Sequence, residues 1–217
     1  MLTPKGTTAL LAMLLTFSQW TMATELGQTL ATQGNSKKNV AACSLCHGAD
    51  GGGQALAGFP RLAGLNPRYL EKQLRDFATA TRDNPVMSPI AKTLSDKEIK
   101  AVSAFFAKLT PPASGDKPSY DAKLINEGKK LAEYGKWANE IPACFACHGS
   151  QADGVGEHFP ALAGQHAGYI EQQLQAWRTG QRKNDPDQLM KGVAMRLSDT
   201  EIKAVSIYLA SLATAGH

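Results

Sequence analysis

The sequence of 217 residues has few cysteines and few aromatic residues. All four cysteines lie in two short motifs, so none is left to serve as an unusual metal ligand or as a lipid anchor near the N-terminus. No stripe of basic residues interleaves with aromatic ones, which argues against nucleic-acid binding. The apolar run near the N-terminus, Ala9–Phe17, is too short to span a bilayer as a helix.

The cysteines form a five-residue motif that occurs twice. Residues 43–47 read Cys-Ser-Leu-Cys-His, and residues 144–148 read Cys-Phe-Ala-Cys-His. Cys-x-x-Cys-His is the attachment signature of c-type haem, in which both thiols form thioethers to the porphyrin and the histidine binds the iron. The sequence therefore predicts two covalently bound haem c groups. The predicted haem-binding residues are Cys43, Cys46 and His47 in the first copy and Cys144, Cys147 and His148 in the second.

Three other interpretations use the same cysteines. A thioredoxin-like redox pair expects a βαβ setting, and no strand pattern surrounds either copy. A single site of four cysteines around zinc leaves both histidines unexplained and needs a ligand gap of nearly a hundred residues. Two structural disulfides stay open as an alternative in an oxidising compartment.

Residues 1–23 have the pattern of a secretory signal. Lys5 supplies a positive charge ahead of the apolar run, and the small residues that end at Ala23 predict cleavage after Ala23. Export to the periplasm agrees with the motifs, because haem c is attached outside the bacterial cytoplasm. An uncleaved membrane anchor is the alternative.

The rest of the sequence is an internal repeat, and a repeat this long predicts two domains rather than turns of a solenoid. Gly27 and Gly128 each lie sixteen residues before the first cysteine of a motif. The further matched segments are 59–64 with 159–164, 69–74 with 169–174, and 94–103 with 197–206. The predicted division is a signal peptide at 1–23, a first domain at 24–110, a Pro/Gly-containing linker at 111–120 and a second domain at 121–217.

Both copies are predicted to be helical. Ser95 with Glu98 and Ser198 with Glu201 form capping boxes, each followed by apolar residues at helical spacing. Asn66-Pro67 is a typical helix start, with proline at the first helical position. The glycine-rich segments 50–53 and 58–60 are interpreted as loops, in which the backbone can pass close to a bulky group.

The sixth ligand of the first haem is predicted by elimination. Without the signal, the first domain contains one histidine, His47, and one methionine, Met87. If this haem is six-coordinate through a common ligand, Met87 supplies it. A core methionine, a lysine ligand and an open axial position are the alternatives.

The second domain offers five candidates for the same role. Met190 precedes Leu197 by seven residues, as Met87 precedes Leu94, so we predict that Met190 is the ligand. Three extra residues precede Met190, and the charged loop at 182–187 is expected to alter the surface near it. The other candidates are Met195, interpreted as peripheral packing, His166, interpreted as a surface or capping residue, His158, a bis-histidine alternative, and the terminal His217.

The predicted ligands indicate the kind of chemistry. A thioether ligand raises the reduction potential relative to a second histidine, and His/Met ligation leaves no axial position for oxygen or peroxide. This predicts an electron carrier without catalysis of its own. The alternative is a haem redox enzyme, or an enzyme subunit, of the thiosulfate or peroxide type with one displaceable axial ligand. Nothing in the sequence argues for a sensor or a haem-delivery module.

Each half resembles a class I cytochrome c domain: a helix with a glycine, Cys-x-x-Cys-His, Pro-x-Leu-Ala-Gly, a methionine loop and a capped last helix. The tandem arrangement is similar to the cytochrome c4 family of bacterial dihaem cytochromes, over essentially the whole mature chain. This resemblance implies an all-α fold of two domains related by a pseudo-twofold axis, with haem propionates near the interface. It also implies that the helix glycines pack against aromatic residues of the last helices, Gly27 on Phe105 and Gly128 on Tyr208.

The resemblance further implies periplasmic electron transfer. The expected donor is a membrane quinol-oxidising complex, and the expected acceptor is a terminal oxidase or another redox protein. Association with the membrane surface stays open. Residues 24–110 contain 11 basic and 7 acidic residues, whereas residues 121–217 contain 10 and 11. This asymmetry predicts oriented, salt-sensitive encounters with partners.

Overall fold

The structure is a computed structural model that describes residues 24–112 and 121–214. The predicted signal peptide with its cleavage site, most of the predicted linker and His217 lie outside these ranges. The first half contains α1 (24–32), α2 (Ser44–His47), α3 (Pro67–Ala78), α4 (Met87–Thr93) and α5 (Asp96–Lys108). The second half contains α6 (Ala122–Tyr134), α7 (Phe145–His148), α8 (Ala167–Arg178), α9 (Leu189–Arg196) and α10 (Asp199–Ser211).

The predicted all-α architecture is confirmed. Between the helices lie short 3-10 turns, and the extended pairs in the described ranges are isolated bridges rather than strands. In the part of the chain that the structure describes, no helix is both long and apolar enough to cross a membrane. The glycine-rich segments 50–53 and 58–60 lie outside regular helices, as expected.

The predicted helix starts are present in both halves. At the start of α5 the Glu98 carboxylate accepts a hydrogen bond from the Ser95 amide at 2.7 Å, while the Ser95 hydroxyl accepts from the Glu98 amide at 3.4 Å. Ser198 and Glu201 form the same reciprocal box before α10. Asn66 caps α3 with its side-chain oxygen, which accepts from the second and third helical amides. These contacts satisfy amides that a helix N-terminus otherwise leaves unpaired.

Each half is organised by the crossing of its first and last helices. Gly27 of α1 lies against the Ala101 carbonyl and the Phe105 Cβ of α5. Gly128 of α6 lies in the same way against Ala204 and Tyr208 of α10. The implied packing of these glycines on the last helices is confirmed. A methyl group at either glycine would overlap a backbone carbonyl, so only glycine permits this approach.

Next to each helix crossing lies a separate apolar core. Val102 and Phe106 of α5 pack with Leu30 in the first half, and Val205 and Leu209 of α10 pack with Leu131 in the second. The two cores are separate clusters, and Ala161 of the second half packs against the first core. The further buried members are Ala31, Leu65 and Leu70 in the first core, and Ala132, Ile141, Ala152, Ala163, Ile170, Leu174, Ala194, Leu197, Ile202 and Tyr208 in the second.

The two halves are joined by buried polar contacts at two places. The Gln165 side chain accepts a hydrogen bond from the Arg61 amide and donates one to the Arg61 carbonyl, both at 3.0 Å. The Arg61 guanidinium donates to the Ala163 carbonyl at 3.0 Å. The second place is an antiparallel bridge between Arg82 and Arg182. The charged loop predicted at 182–187 begins at this contact, and the Arg182 side chain is buried against the first half.

The helix crossing generates a stability prediction. Gly128→Ala should lower the free energy of unfolding by about 1–3 kcal/mol, because the added methyl must push α10 away from α6. Gly192→Ala is the matched control, since Gly192 lies inside α9 and a methyl there meets only the flexible end of the Arg196 side chain. The control should gain up to about 1 kcal/mol from better helix propensity. Chemical denaturation of the holoprotein measures both changes. If Gly128→Ala unfolds at the same denaturant concentration as the parent protein, the proposed crossing is contradicted.

Candidate functional site

Each motif folds into a single helical turn that places its histidine inside the domain. The His47 amide donates to the Cys43 carbonyl at 2.9 Å, and the His148 amide donates to the Cys144 carbonyl at the same distance. The two cysteines of each motif therefore lie at the start and at the end of one helical turn, directly before the histidine. Gly48 then leaves the helix with a φ of 79°, which lets the chain turn away at once. Both histidines are 7% exposed.

A hydrogen bond fixes the tautomer of each histidine. His47 Nδ1 donates to the Pro60 carbonyl at 3.0 Å, and His148 Nδ1 donates to the Pro160 carbonyl at 2.8 Å. Burial lowers the pKa of both imidazoles, and the proline carbonyls oppose that shift in part. The rings are consequently neutral near pH 7, with Nε2 left as the metal-binding nitrogen. A carbonyl on the far nitrogen is the usual support of a metal-binding histidine.

The four cysteines are unpaired thiols in this structure. Burial raises the pKa of Cys43 and of Cys144 to about 11. Among the described residues, which include all four cysteines, no group of three or more metal-binding side chains could hold an ion. The disulfide and zinc interpretations therefore have no support in the structure.

A cavity of about 1340 Å³ lies beside both motifs and continues from one half into the other. A pocket for a single small ligand usually measures about 300–1,000 Å³, so this cavity is large enough for two bulky groups. Its wall contains Cys43, His47, Cys144, Cys147 and His148. In the first half Cys46 lies in the same turn as Cys43 but is not among the described residues that line the cavity. Cysteines beside a neutral imidazole, at the edge of a large apolar cavity, fit covalent haem c. The further apolar wall includes Leu30, Phe59, Leu70, Phe106, Phe159, Ile170, Leu174 and Leu209.

The two predicted methionine ligands lie on this same wall. Met87 is the first residue of α4, and its amide donates to the Asn84 side chain at 2.8 Å. Met190 is the second residue of α9, whose first turn is fixed by Asp185, which accepts from the Lys191 amide at 2.9 Å. The structure thus brings one histidine and one methionine of each half to one cavity. Axial ligation by Met87 and Met190 stays a prediction.

The other candidate ligands have different surroundings. Met195 is 59% exposed and is not among the described residues that line the cavity. His158 lies on the cavity wall, but most of its side chain is exposed beside Glu157. His166 occupies the N-cap position of α8 without making a side-chain cap, so the capping interpretation is wrong. Its Nε2 is buried and has no hydrogen-bond partner.

Sequence reasoning missed the polar cluster between the halves. Arg82 and Arg182 are both buried and both line the cavity. A signal for them was available in the repeat, because three polar residue types recur at matched positions in both halves. The matched pairs are Tyr69 with Tyr169, Gln73 with Gln173, and Arg82 with Arg182.

Family models match both halves of the chain. Residues 31–106 match the model described as cytochrome c oxidase, cbb3-type, subunit III, and residues 125–213 match the model described as cytochrome c. A thiosulfate dehydrogenase electron acceptor from Stutzerimonas stutzeri (strain A1501) is 47% identical and covers 86% of each chain. Cytochrome c4 from Thiocapsa roseopersicina is 41% identical over 82% of this chain and 91% of that protein.

Solved structures give the same two kinds of relative. Thiosulfate dehydrogenase (TsdBA) from Marichromatium purpuratum superposes with a TM-score of 0.82 at 44% identity. That match covers 87% of this chain but only 40% of the enzyme's length. Cytochrome c4 from Pseudomonas stutzeri superposes with a TM-score of 0.74 at 35% identity, covering 87% of this chain and 98% of that one.

The methionine assignment can be tested with three single variants. We expect Met87→Leu and Met190→Leu each to remove about half of the weak near-red absorption band that arises from sulfur bound to oxidised haem iron, because each removes one of two thioether ligands. Met195→Leu is the matched control and should keep the whole band. Optical spectra at known haem content measure all three. A band that survives in Met190→Leu, or falls in Met195→Leu, would show that the second ligand is misassigned.

Proposed function

Because this chain belongs to the cytochrome c4 family of dihaem cytochromes, we propose that it is a periplasmic electron carrier with no catalysis of its own. Family membership confirms the predicted fold of two tandem class I cytochrome c domains related by a pseudo-twofold axis. It also establishes two covalently bound haem c groups and redox proteins as partners. The periplasmic location, the identity of the donor and acceptor, and iron ligation by Met87 and Met190 are proposed.

We propose a thiosulfate-oxidising haem enzyme as the electron donor. This choice rests on the difference in sequence identity to this chain between two groups of relatives. Two proteins named thiosulfate dehydrogenase electron acceptor are 47% and 48% identical to this chain. Proteins named cytochrome c4 are 34–41% identical to it. In the solved thiosulfate dehydrogenase, the part similar to this chain is 40% of the enzyme, which supports an acceptor module beside a separate catalytic part.

The residues of the site are suited to carrying electrons. When bound, each haem iron accepts and releases one electron between Fe(III) and Fe(II). The neutral imidazoles of His47 and His148 are held by proline carbonyls, so neither needs to gain or lose a proton as the charge changes. Met87 and Met190 would fill the second axial positions and exclude oxygen and peroxide. The apolar wall excludes water from both sites, which limits the reorganisation that accompanies electron transfer.

A second donor is supported by the cytochrome c4 relatives, which match this chain over nearly their whole length. On this proposal a membrane quinol-oxidising complex reduces the protein, and in both cases a terminal oxidase or another redox protein oxidises it. The proposed periplasmic location rests on the signal pattern of residues 1–23 and on the haem motifs.

A reduction experiment with the holoprotein separates these functions. We expect thiosulfate to reduce both haems only when a purified thiosulfate dehydrogenase is present, because Met87 and Met190 would occupy the positions at iron that a substrate needs. Stopped-flow absorbance in the haem bands measures the rate. Reduction by thiosulfate alone, with turnover when a chemical oxidant is supplied, would mean that the chain is itself the enzyme. Reduction by a quinol-oxidising membrane complex but not by the dehydrogenase would assign the second donor instead.

The charge asymmetry predicts where the donor docks. We expect the second-order reduction rate to fall as ionic strength rises, because exposed charges that steer docking are screened by salt. Lys100→Gln in the basic first domain should slow reduction and flatten the salt dependence. Lys203→Gln, at the matched position of α10, is the control and should have the smaller effect. Rates that stay constant from low to high salt would rule out electrostatic docking.

A further inference from the structure

The second half exposes large apolar side chains where the first half exposes polar ones. Tyr134 is 68% exposed, Trp137 is 72% exposed and Met195 is 59% exposed. We call these three side chains the apolar patch. The matched positions of the first half are exposed and polar, and they hold Gln33, Ser36 and Lys92. Since both halves have the same fold, folding of the second half does not require apolar side chains at these positions.

Two ion pairs fix the turn that carries Trp137 of the patch. Lys136, directly before Trp137, pairs with Glu201 of α10 at 2.7 Å. Glu140, which ends the 3-10 turn, pairs with Arg196 of α9 at 2.9 Å. The second pair brings the turn to the end of α9, where the exposed methionine of the patch lies. The exposed tyrosine ends α6 three residues before Trp137, so all three members of the patch lie on adjoining elements.

The apolar patch lies beside the second haem site. Five residues after Trp137, the same segment reaches the cavity wall with Pro142 and Ala143, and Cys144 follows at once. On α9, Met190 lies on the cavity wall five residues before the exposed methionine of the patch. The patch and this part of the wall are therefore formed by the same two segments. Because electron transfer slows steeply with distance, a protein docked on the patch would be well placed to exchange electrons with the second haem.

The charges around the apolar patch occur with opposite signs. Both ion pairs that fix the turn join one acid to one base. On the part of α6 that leads to Tyr134, Lys129 pairs with Glu133 at 3.8 Å, and the exposed Lys130 and Glu127 balance each other. An anionic lipid surface attracts clusters of basic residues, which this region does not provide. The docking face of the partner is therefore expected to be apolar and uncharged.

The size of the apolar patch favours a brief encounter over a permanent dimer. An aromatic side chain buries about 150–250 Å² when it is covered, so Tyr134 and Trp137 together offer about 200–350 Å² at their exposed fractions. A stable interface needs about 800 Å² from each partner, whereas encounters between electron-transfer proteins have the smallest interfaces. Tryptophan and tyrosine are also the residues that most often dominate binding energy.

We propose that Tyr134, Trp137 and Met195 form the docking surface for a terminal oxidase, which takes electrons from the second haem. This rests on the proposed function, in which such an oxidase is one of the expected acceptors. One electron passes in each encounter, from Fe(II) of the second haem, which becomes Fe(III), to the oxidised cofactor of the oxidase. The basic first half is the expected docking side of the donor, so donor and acceptor need not compete for one surface.

The test follows oxidation of the chemically reduced holoprotein by a purified terminal oxidase, so the electron donor plays no part. Trp137→Ser and Tyr134→Gln introduce the residues of the first half at the matched positions. Trp137→Ser should lower the second-order rate constant about tenfold and raise the Kd for the immobilised oxidase by a similar factor. Tyr134→Gln should have a smaller effect in the same direction. Both ratios to the parent should be equal at low and high ionic strength, because neither variant changes a charge.

Two further variants complete the design. Leu56→Ala is the control, since Leu56 is a fully exposed apolar side chain of the first half, and this variant should keep the parent's rate. Met195→Lys introduces the matched residue of the first half and places an unpaired charge in the patch. It should also slow oxidation, and it decides the matter if Trp137→Ser does not fold. Haem content and the near-red sulfur band should be unchanged in every variant.

The parent's own oxidation rate tests the carrier function, and the ratio of each variant to the parent tests the surface. Parent-like rate constants and Kd values in the Trp137, Tyr134 and Met195 variants would contradict the surface and leave the carrier function intact. An equal loss in Leu56→Ala would place the oxidase on the first half. If the variants instead lose sedimentation with phosphatidylcholine vesicles, or dissociate a dimer, at the parent's oxidation rate, the patch binds a membrane or a second copy. A parent that the oxidase leaves reduced would overturn both the acceptor and the surface.

Discussion

The cavity beside the two motif histidines is the constraint on which the rest of the structure depends. Its volume of about 1340 Å³ is large against the cores of two domains of roughly ninety residues each. The helices therefore pack around this cavity as well as against one another. The close crossings at Gly27 and Gly128 provide the part of each core that is independent of the cofactor. The covalent attachment through paired cysteines then ensures that the remaining apolar surface is covered in every folded molecule.

The interface between the halves is symmetric at one place and asymmetric at the other. At the bridge between Arg82 and Arg182, matched residues of the two halves exchange equivalent contacts, as pseudo-twofold symmetry requires. At the Arg61–Gln165 contact the symmetry is broken, because the matched positions hold Ala161 and Leu65. A duplicated domain can pair with its copy through the symmetric contact alone. The asymmetric contact allows each half to specialise, and the different charge of the two halves indicates that they have done so.

Local features of the sequence predicted most of what is local in the structure. The capping boxes at Ser95 and Ser198 and the Asn66 cap depend on residues whose spacing is visible within one helix. The glycine crossings join distant residues and were expected only from the resemblance to class I cytochrome c domains. The haem motifs are equally local. The polar contacts between the halves were not predicted, since Arg61 and Gln165 are 104 residues apart and nothing near either residue indicates its partner. The same holds for Arg182, which lies in a charged stretch of the sequence and yet is buried.

The combination of buried arginines and a basic outer surface has a consequence for how the protein works. Surface charge on the first half is screened by salt and acts mainly on the rate of encounter. The buried pair, Arg82 and Arg182, lies on the wall of the cavity, where its charge is shielded from salt and would favour Fe(II) over Fe(III) in a bound haem. Partner choice and reduction potential could therefore change independently, because different residues would control them. A carrier that must accept electrons from one protein and deliver them to another needs this separation, since a surface adapted to a new partner then leaves the potentials of both haems in place.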